Sequence, residues 1–405
     1  MVDYNLDENL KNWQSKVAEF ARIELKPNAQ EWDRLNGIDP SNPFPFDTLR
    51  KASKEGIRTL TVPKEMGGEG LGIFDHVVLL EELVAGEAGF GAVIHQGWKL
   101  AKMLCEHTTE EQRKEFLPRF MDVDTSTMAI GMTEPDHGTD NIRPASNIDG
   151  GMKLSAVQNG NKWVLNGKKH FIACAAMSNI NFLCARTDSN VPVNEGVTLF
   201  IMPDELDGFT RGVVHGKMGC RLLMNGEMIY EDAEVPDEWR LSEVNDGLPY
   251  MSRVFSRHSP TTATFGLGIA RAAYEDAIDY AKVRVQGGSP IIEHDEIRQR
   301  IADMYISISA ARDAIWKAAW HADNASEGEY DHKEGMRVKI FTGDMAPQVC
   351  SSAMNIFGGN GYMTTHSAER HMRDAMMCYH IDGLNDTGRW KLGRLIAGEK
   401  FAGSI

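Results

Sequence analysis

Asn159-Gly160-Asn161-Lys162-Trp163-Val164-Leu165-Asn166-Gly167, a β-prone run bracketed by two turn dipeptides, sets the middle of this 405-residue chain apart from its flanks. Runs of the same kind lie on either side: Met152-Lys153-Leu154, Asn181-Phe182-Leu183-Cys184 and Val197-Thr198-Leu199-Phe200-Ile201, with Asp207-Gly208 as a further turn signal. Aromatic and β-branched residues suit a pleated, half-buried surface, and Asn-Gly or Asp-Gly supplies the positive φ of a tight turn. Residues 127–238 therefore read as an antiparallel β-domain.

The pattern changes outward from there. Before it, Trp13, Val17, Phe20 and Leu25 recur at helical spacing, as do the apolar positions of 46–57 and 74–83, so 1–126 reads as a helical domain. After Val235-Pro236-Asp237, helical patterns return at 266–283, at Ile301, Met304, Ile308, Ala311, Ile315 and Ala319, and at 335–356 and 385–400. A polar break at 326–333 separates two of these, and 239–405 reads as a C-terminal helical bundle of four-helix-bundle type. Helices, strands and helices in segregated blocks define an α+β fold and exclude a Rossmann nucleotide site, which needs βαβ alternation.

A net charge of -15 without a cluster of Lys and Arg argues against nucleic acid or an anionic membrane surface as partner. The six cysteines are scattered, with no Cys-x-x-Cys pair and no metal-ligand spacing, so reduced thiols and no metal are expected. Met1-Val2-Asp3-Tyr4 opens no secretory signal, and no apolar run nears the ~18 residues of a membrane span, so the cytoplasm is the expected compartment.

Five further segments, in order, carry a specific likeness: Met132-Thr133-Glu134-Pro135-Asp136-His137-Gly138-Thr139-Asp140; Gly167-Lys168-Lys169-His170-Phe171-Ile172; Gly216-Lys217-Met218-Gly219-Cys220-Arg221; Arg284-Val285-Gln286-Gly287-Gly288 with Ile292-Glu293-His294; and Phe357-Gly358-Gly359-Asn360-Gly361 leading to Arg373-Asp374-Ala375. Together they resemble the acyl-CoA dehydrogenase family over essentially the whole chain. The resemblance implies that family's three-part fold, FAD as cofactor, an acyl-CoA thioester as substrate, an electron-transfer flavoprotein as acceptor and a homotetramer.

It also implies flavin contacts. Ile130, Met132 and Thr133 would face the flavin, Gly138 would allow close backbone approach, and Thr139 would lie between flavin phosphate and acyl-CoA. Phe171 would pack on the isoalloxazine, and Ala173 stands where the family has a threonine, removing one hydrogen bond worth about 1 kcal/mol. Arg284, Gln286, His294, Asp295, Asn355, Gly358 and Gly359 line up with contacts to the flavin of a neighbouring subunit. Plainer readings stand beside these. Thr133 or Asp140 could cap a turn, Phe171 could be a core aromatic, Arg284 could answer a helix dipole, and the Gly358-Gly359 run could close a helix.

The altered position is Asp382, where the family carries the glutamate that removes the substrate's α-proton. Aspartate is shorter by one methylene, roughly 1.5 Å, a large step for a positioned proton transfer. Three readings compete: Asp382 is still the base, as in the related nitroalkane oxidases; another residue such as His258 or His95 is; or Asp382 caps a turn with Gly383. His258 lies in Ser256-Arg257-His258-Ser259, aligned with a helix from which branched-chain members supply their base, with Ser259 where an arginine is expected. His95 and Gln96, on the expected floor of the acyl pocket, favour a short, polar or cyclic acyl group, unless that face turns to solvent. Ser256, Ser259, Thr139, His95 and Gly383 are the candidate substrate contacts. Leu384 lacks the hydroxyl the family offers to flavin, and Asp386 resembles glutaryl-CoA-type members. A flavin oxidase or monooxygenase on the same fold, and a non-catalytic CoA-ester-binding relative, are the alternatives.

Overall fold

Asp7 accepts a hydrogen bond from the Leu10 backbone N–H at 2.7 Å and so opens α1 (Glu8–Phe20), which passes through a π-turn at Ala21–Leu25 before α2 (Ala29–Ile38) and α3 (Phe46–Lys54). This computed structural model describes residues 6–141, 148–326 and 329–399; the expectation about Met1-Val2-Asp3-Tyr4 lies outside them. α4 (Ile73–Gly86) and α5 (Ala88–Glu106) are buried on most of their surface, and a Thr109/Gln112 capping box starts α6 (Glu110–Met121).

Seven strands follow: β1 (Met128–Gly131), β2 (Ser155–Asn159), β3 (Lys162–Ile172), β4 (Ile180–Arg186), β5 (Val197–Pro203), β6 (Phe209–Val214) and β7 (Gly226–Pro236). The sheet order is β1-β4-β2-β3-β7-β6, with β5 also on β4. It is mixed rather than purely antiparallel, because β1 runs parallel to β4, Met128 to Gly131 pairing with Ile180 to Leu183. Two local expectations also change. Asn166-Gly167 is not a turn but a bulge inside β3, where Asn166 Nδ2 donates to Asp232 and Gly167, at φ 137, packs on Leu154. Met152-Lys153-Leu154 lies before β2, and its Lys153 and Leu154 N–H groups donate to the Glu134 carboxylate instead of to a strand.

The C-terminal part holds α7 (Gly247–Phe255), α8 (Ser259–Val283), a hairpin of β8 (Val285–Gln286) and β9 (Ser289–Pro290), then α9 (Asp295–Asn324), α10 (His332–Phe357), α11 (Ser367–Ala375) and α12 (Asn385–Ile396). α8 begins seven residues before the pattern at Gly266 suggested, since Pro260 near its start fits the first helical turn. At Gly266 an added Cβ would lie 2.7 Å from the Thr342 carbonyl, so the missing side chain sets how closely α8 meets α10. One core joins both helical parts, running from Leu80 and Val84 on α4 through Phe265 and Ile269 on α8 to Ile315 and Val349. The sheet buries one face around Trp163, Phe200 and Tyr230, and sets Phe182 and Ile201 against Phe116 and Phe120 of α6.

Candidate active site

Glu134 is the fixed point of the Met132–Asp140 loop. Its carboxylate is buried and accepts from Lys169 Nζ at 2.8 Å, Lys153 N–H at 2.6 Å and Leu154 N–H at 2.9 Å. Lys169 is fully buried and also donates to the Met132 carbonyl at 3.1 Å; burial lowers its pKa while Glu134 opposes that shift. His170 N–H donates to the Thr133 carbonyl at 2.8 Å, bringing the end of β3 against the loop. Met132, Thr133, Gly138 and Thr139 are consequently half-buried on a braced loop. Asp140 does brace a turn, accepting from the Gly138 and Gly151 N–H groups and pairing with His137 at 2.7 Å. Ile130 and Met132 pack, partly buried, against the core cluster that includes Leu100 and Leu104 of α5.

Phe171 is not a core aromatic. It keeps 59% of its surface exposed at a φ of 60°, and its ring lies against His170 and His215. A large apolar ring held outward by strained backbone is a surface made to be covered. Ala173, two residues on, is half-buried.

A second set assembles where α8, α9 and α10 meet. Tyr280, Arg284, Gln286, His294, Asn355, Phe357, Gly358 and Gly359 line a pocket of about 440 Å³. Arg284 is the C-cap of α8, exposed, and its side chain makes no hydrogen bond or ion pair among the described residues, so its guanidinium is available to an anion. The β8–β9 hairpin fixes Gln286, whose carbonyl lies 3.0 Å from His294 Nε2. Gly358, at φ 60, ends α10, and a Cβ at Gly358 or Gly359 would meet nothing within 4 Å, leaving an open cradle. Cation, amides and open backbone suit a diphosphate and its sugar, so these residues fit FAD. Asp295 is highly exposed and lies beside Arg298 in the first turn of α9; Asp386 does the same with Arg389 on α12.

Asp382 sits at φ 47 with Gly383 at φ 92 behind it. Its side chain does not close that turn. Oδ2 accepts from Thr262 Oγ1 at 2.8 Å and from Lys99 Nζ at 3.4 Å, while Oδ1 has no donor among the described residues. Burial would raise the Asp382 pKa, but Lys99, the Thr262 hydroxyl and Lys339 together hold it below the usual carboxylate value. Although ringed by these groups, the side chain keeps 46% of its surface accessible. Lys339 Nζ donates to the Gly383 carbonyl at 2.5 Å and to Asn385 Oδ1 at 2.8 Å, setting the backbone beside Leu384, which is 41% exposed.

His95 and Gln96 do not face solvent; both are buried. The rest of α5 is wrapped by α4, α8 and β1, so no face of it around these residues reaches water. His95 Nδ1 lies 3.0 Å from His76 Nε2, and its Nε2 has no partner among the described residues. Ser256-Arg257-His258-Ser259 is not helix interior but the break between α7 and α8, with His258 as N-cap. Arg257 there donates to the Ala322 and Ala325 carbonyls, a structural role. His258 is buried with an unpartnered Nδ1, and burial, then Lys99, push its pKa down to about 3. Ser256 and Ser259 flank it, half-buried. The sequence reading missed Lys99, Thr262, Lys339 and His76. Lys99 is four residues from His95 and Thr262 four from His258, so helical spacing held the signal for two of them.

All three parts of the chain have counterparts among known proteins. Residues 7–124, 129–233 and 245–396 match the N-terminal, middle and C-terminal domains of acyl-CoA dehydrogenase. A short-chain-specific acyl-CoA dehydrogenase of Clostridium acetobutylicum is 30% identical over 387 residues, covering 95% of this chain and 97% of that one. Mitochondrial isovaleryl-CoA dehydrogenase of Pongo abelii is 29% identical over 396 residues, covering 96% and 89%. Butyryl-CoA dehydrogenase of Megasphaera elsdenii superposes with a TM-score of 0.88 at 30% identity, over 98% of this chain and 100% of that one. The chain belongs to the acyl-CoA dehydrogenase family, as an FAD-dependent oxidoreductase acting on a CH–CH bond.

Proposed function

We propose that the protein oxidises a short, polar or cyclic acyl-CoA thioester, with Asp382 as the base that takes the α-proton. The observation that carries this is the division of labour between the two oxygens of Asp382: Oδ2 is anchored by Thr262 and Lys99, and Oδ1 is free to receive a proton. Its lowered pKa keeps the carboxylate ionised at neutral pH, and its side chain is accessible where His258 is buried. Bound FAD supplies the acceptor for the β-hydride at N5. Met132, Thr133, Gly138, Thr139, Phe171 and Ala173 would hold its ring system, and Arg284, Gln286, His294, Asn355, Gly358 and Gly359 its diphosphate portion. The Asp382 backbone N–H would polarise the thioester carbonyl. The polar acyl preference rests on buried His95 and its free Nε2.

An oligomer is part of this proposal, and the length of α8 supports it. Thr262 near its start and Arg284 at its end lie about 33 Å apart at 1.5 Å per residue, farther than one dinucleotide spans. In this reading the Arg284 pocket would serve the flavin of another copy, as the family's homotetramer would require. Exposed Tyr305 and Ile306 on α9 and Phe341 on α10 supply apolar surface for such contacts. An electron-transfer flavoprotein is the proposed acceptor and the cytoplasm the proposed compartment, in keeping with six free, buried thiols. Among the described residues no helix is long and apolar enough to cross a membrane.

Asp382→Asn should abolish anaerobic bleaching of the flavin by acyl-CoA, while His258→Asn retains it; full activity in Asp382→Asn rejects the assignment. Ala173, which lacks the family's hydroxyl, favours one second reading, an oxidase. Rapid hydrogen peroxide formation in air would support it.

A further inference from the structure

Lys99 takes no proton in the chemistry described so far, yet it is one of only two side chains that donate to Asp382 among the described residues. It projects from α5 with its side chain only 10% exposed and its ammonium 5.5 Å from the Phe255 ring centroid, so its position is set by packing. Thr262 reaches the same oxygen from α8, one turn after His258. Two elements far apart in sequence thus converge on Oδ2, and neither touches Oδ1.

We infer that Lys99 and Thr262 form a clamp that fixes the short Asp382 side chain in its proton-accepting orientation, with Lys99 as a positioning residue for the base. This rests on Asp382 being that base. A free aspartate on a left-handed turn can rotate about χ1, and every rotamer but one moves its carboxylate by more than proton transfer tolerates. Pinning one oxygen with an ammonium and a hydroxyl removes that freedom and leaves the second oxygen for the substrate. Lys339 cannot replace Lys99, since its donors go to Gly383 and Asn385.

The groups that face this carboxylate are Lys99 from α5, Thr262 and His258 from α8, and Lys339 from α10, with Cys378 beside Lys339. Removing the Lys99 cation raises the Asp382 pKa, so the carboxylate protonates at higher pH.

The test is stopped-flow flavin reduction by an acyl-CoA under nitrogen, as a function of pH, on wild-type, Lys99→Met, Lys99→Arg, Thr262→Val and Asp382→Asn holoenzymes. Lys99→Met is expected to slow reduction about 10- to 100-fold at neutral pH with KM changed less than about 3-fold, and to move the acidic limb upward. Lys99→Arg is expected to restore most of the rate and the limb. Thr262→Val should slow reduction while leaving the limb nearer its wild-type position, and it carries the test if Lys99→Met does not fold. An unmoved limb in Lys99→Met, or a loss that Lys99→Arg does not recover, overturns the clamp. Activity persisting in Asp382→Asn overturns the base assignment instead, which separates the two failures.

Discussion

Replacing Lys169 by Met should destabilise the protein more than any substitution on its surface. Lys169 and Glu134 form a buried ion pair at 2.8 Å, with side chains 0% and 6% exposed. Removing one partner of such a pair costs about 3–5 kcal/mol, because a charge is left buried without its counter-ion. Here Glu134 keeps two backbone donors, Lys153 and Leu154, which places the loss at the lower end, about 3 kcal/mol. Methionine matches the lysine stem in volume, so no cavity adds to it. At about 1.2 °C per kcal/mol for a chain of 405 residues, the apo-protein melting temperature should fall by about 3–4 °C. The holoenzyme should lose FAD at lower urea, since Lys169 also holds the Met132 carbonyl. The double variant Lys169→Met/Glu134→Gln removes the stranded charge and should recover part of the loss. A melting temperature within about 1 °C of wild type, or a double variant no better than the single, would refute the reasoning.

Gly359→Ala fills the open cradle beside Arg284, so apo stability should be unchanged while FAD affinity drops, read by flavin fluorescence titration. Arg284→Met should weaken FAD binding and flatten its salt dependence in the same titration. His258 is buried and neutral with a folded pKa of about 3 against an ordinary 6.5, so the unfolded chain binds its proton first as pH falls. Its contribution to stability is full above pH 6.5 and is lost toward pH 3 at about 1.4 kcal/mol per pH unit. Chemical denaturation at several pH values should show this slope, with His95 and His76 adding to it, and His258→Gln should reduce it. Phe171→Ala should leave the apo protein's melting temperature nearly unchanged but lower that of the holoenzyme.

The architecture was legible because each block carries its own period: two for Trp163 to Leu165, between three and four for Ile301 to Ala319. What pattern could not show was long-range polar pairing. Met152 to Leu154 has the composition of a strand, but its amides answer a carboxylate nineteen residues upstream in chain order, at Glu134. The β1–β4 parallel pairing was likewise invisible, since period two is the same for either direction. At the site, the residues proposed to face the ligands were named from the family motifs. The partners of Asp382 were not, because Lys99 and Thr262 lie 283 and 120 residues away and carry no local signature.

The length of α8 has one more consequence. A helix with the base's hydroxyl partner near one end and the diphosphate-binding arginine at the other belongs, in the assembly proposed above, to two flavins at once. Asp382→Asn, without its base, and Arg284→Met, with weakened FAD binding, would then complement each other when their subunits are mixed at limiting FAD. In a random one-to-one assembly about a quarter of the sites would pair an intact Asp382 with an intact Arg284 from the neighbour.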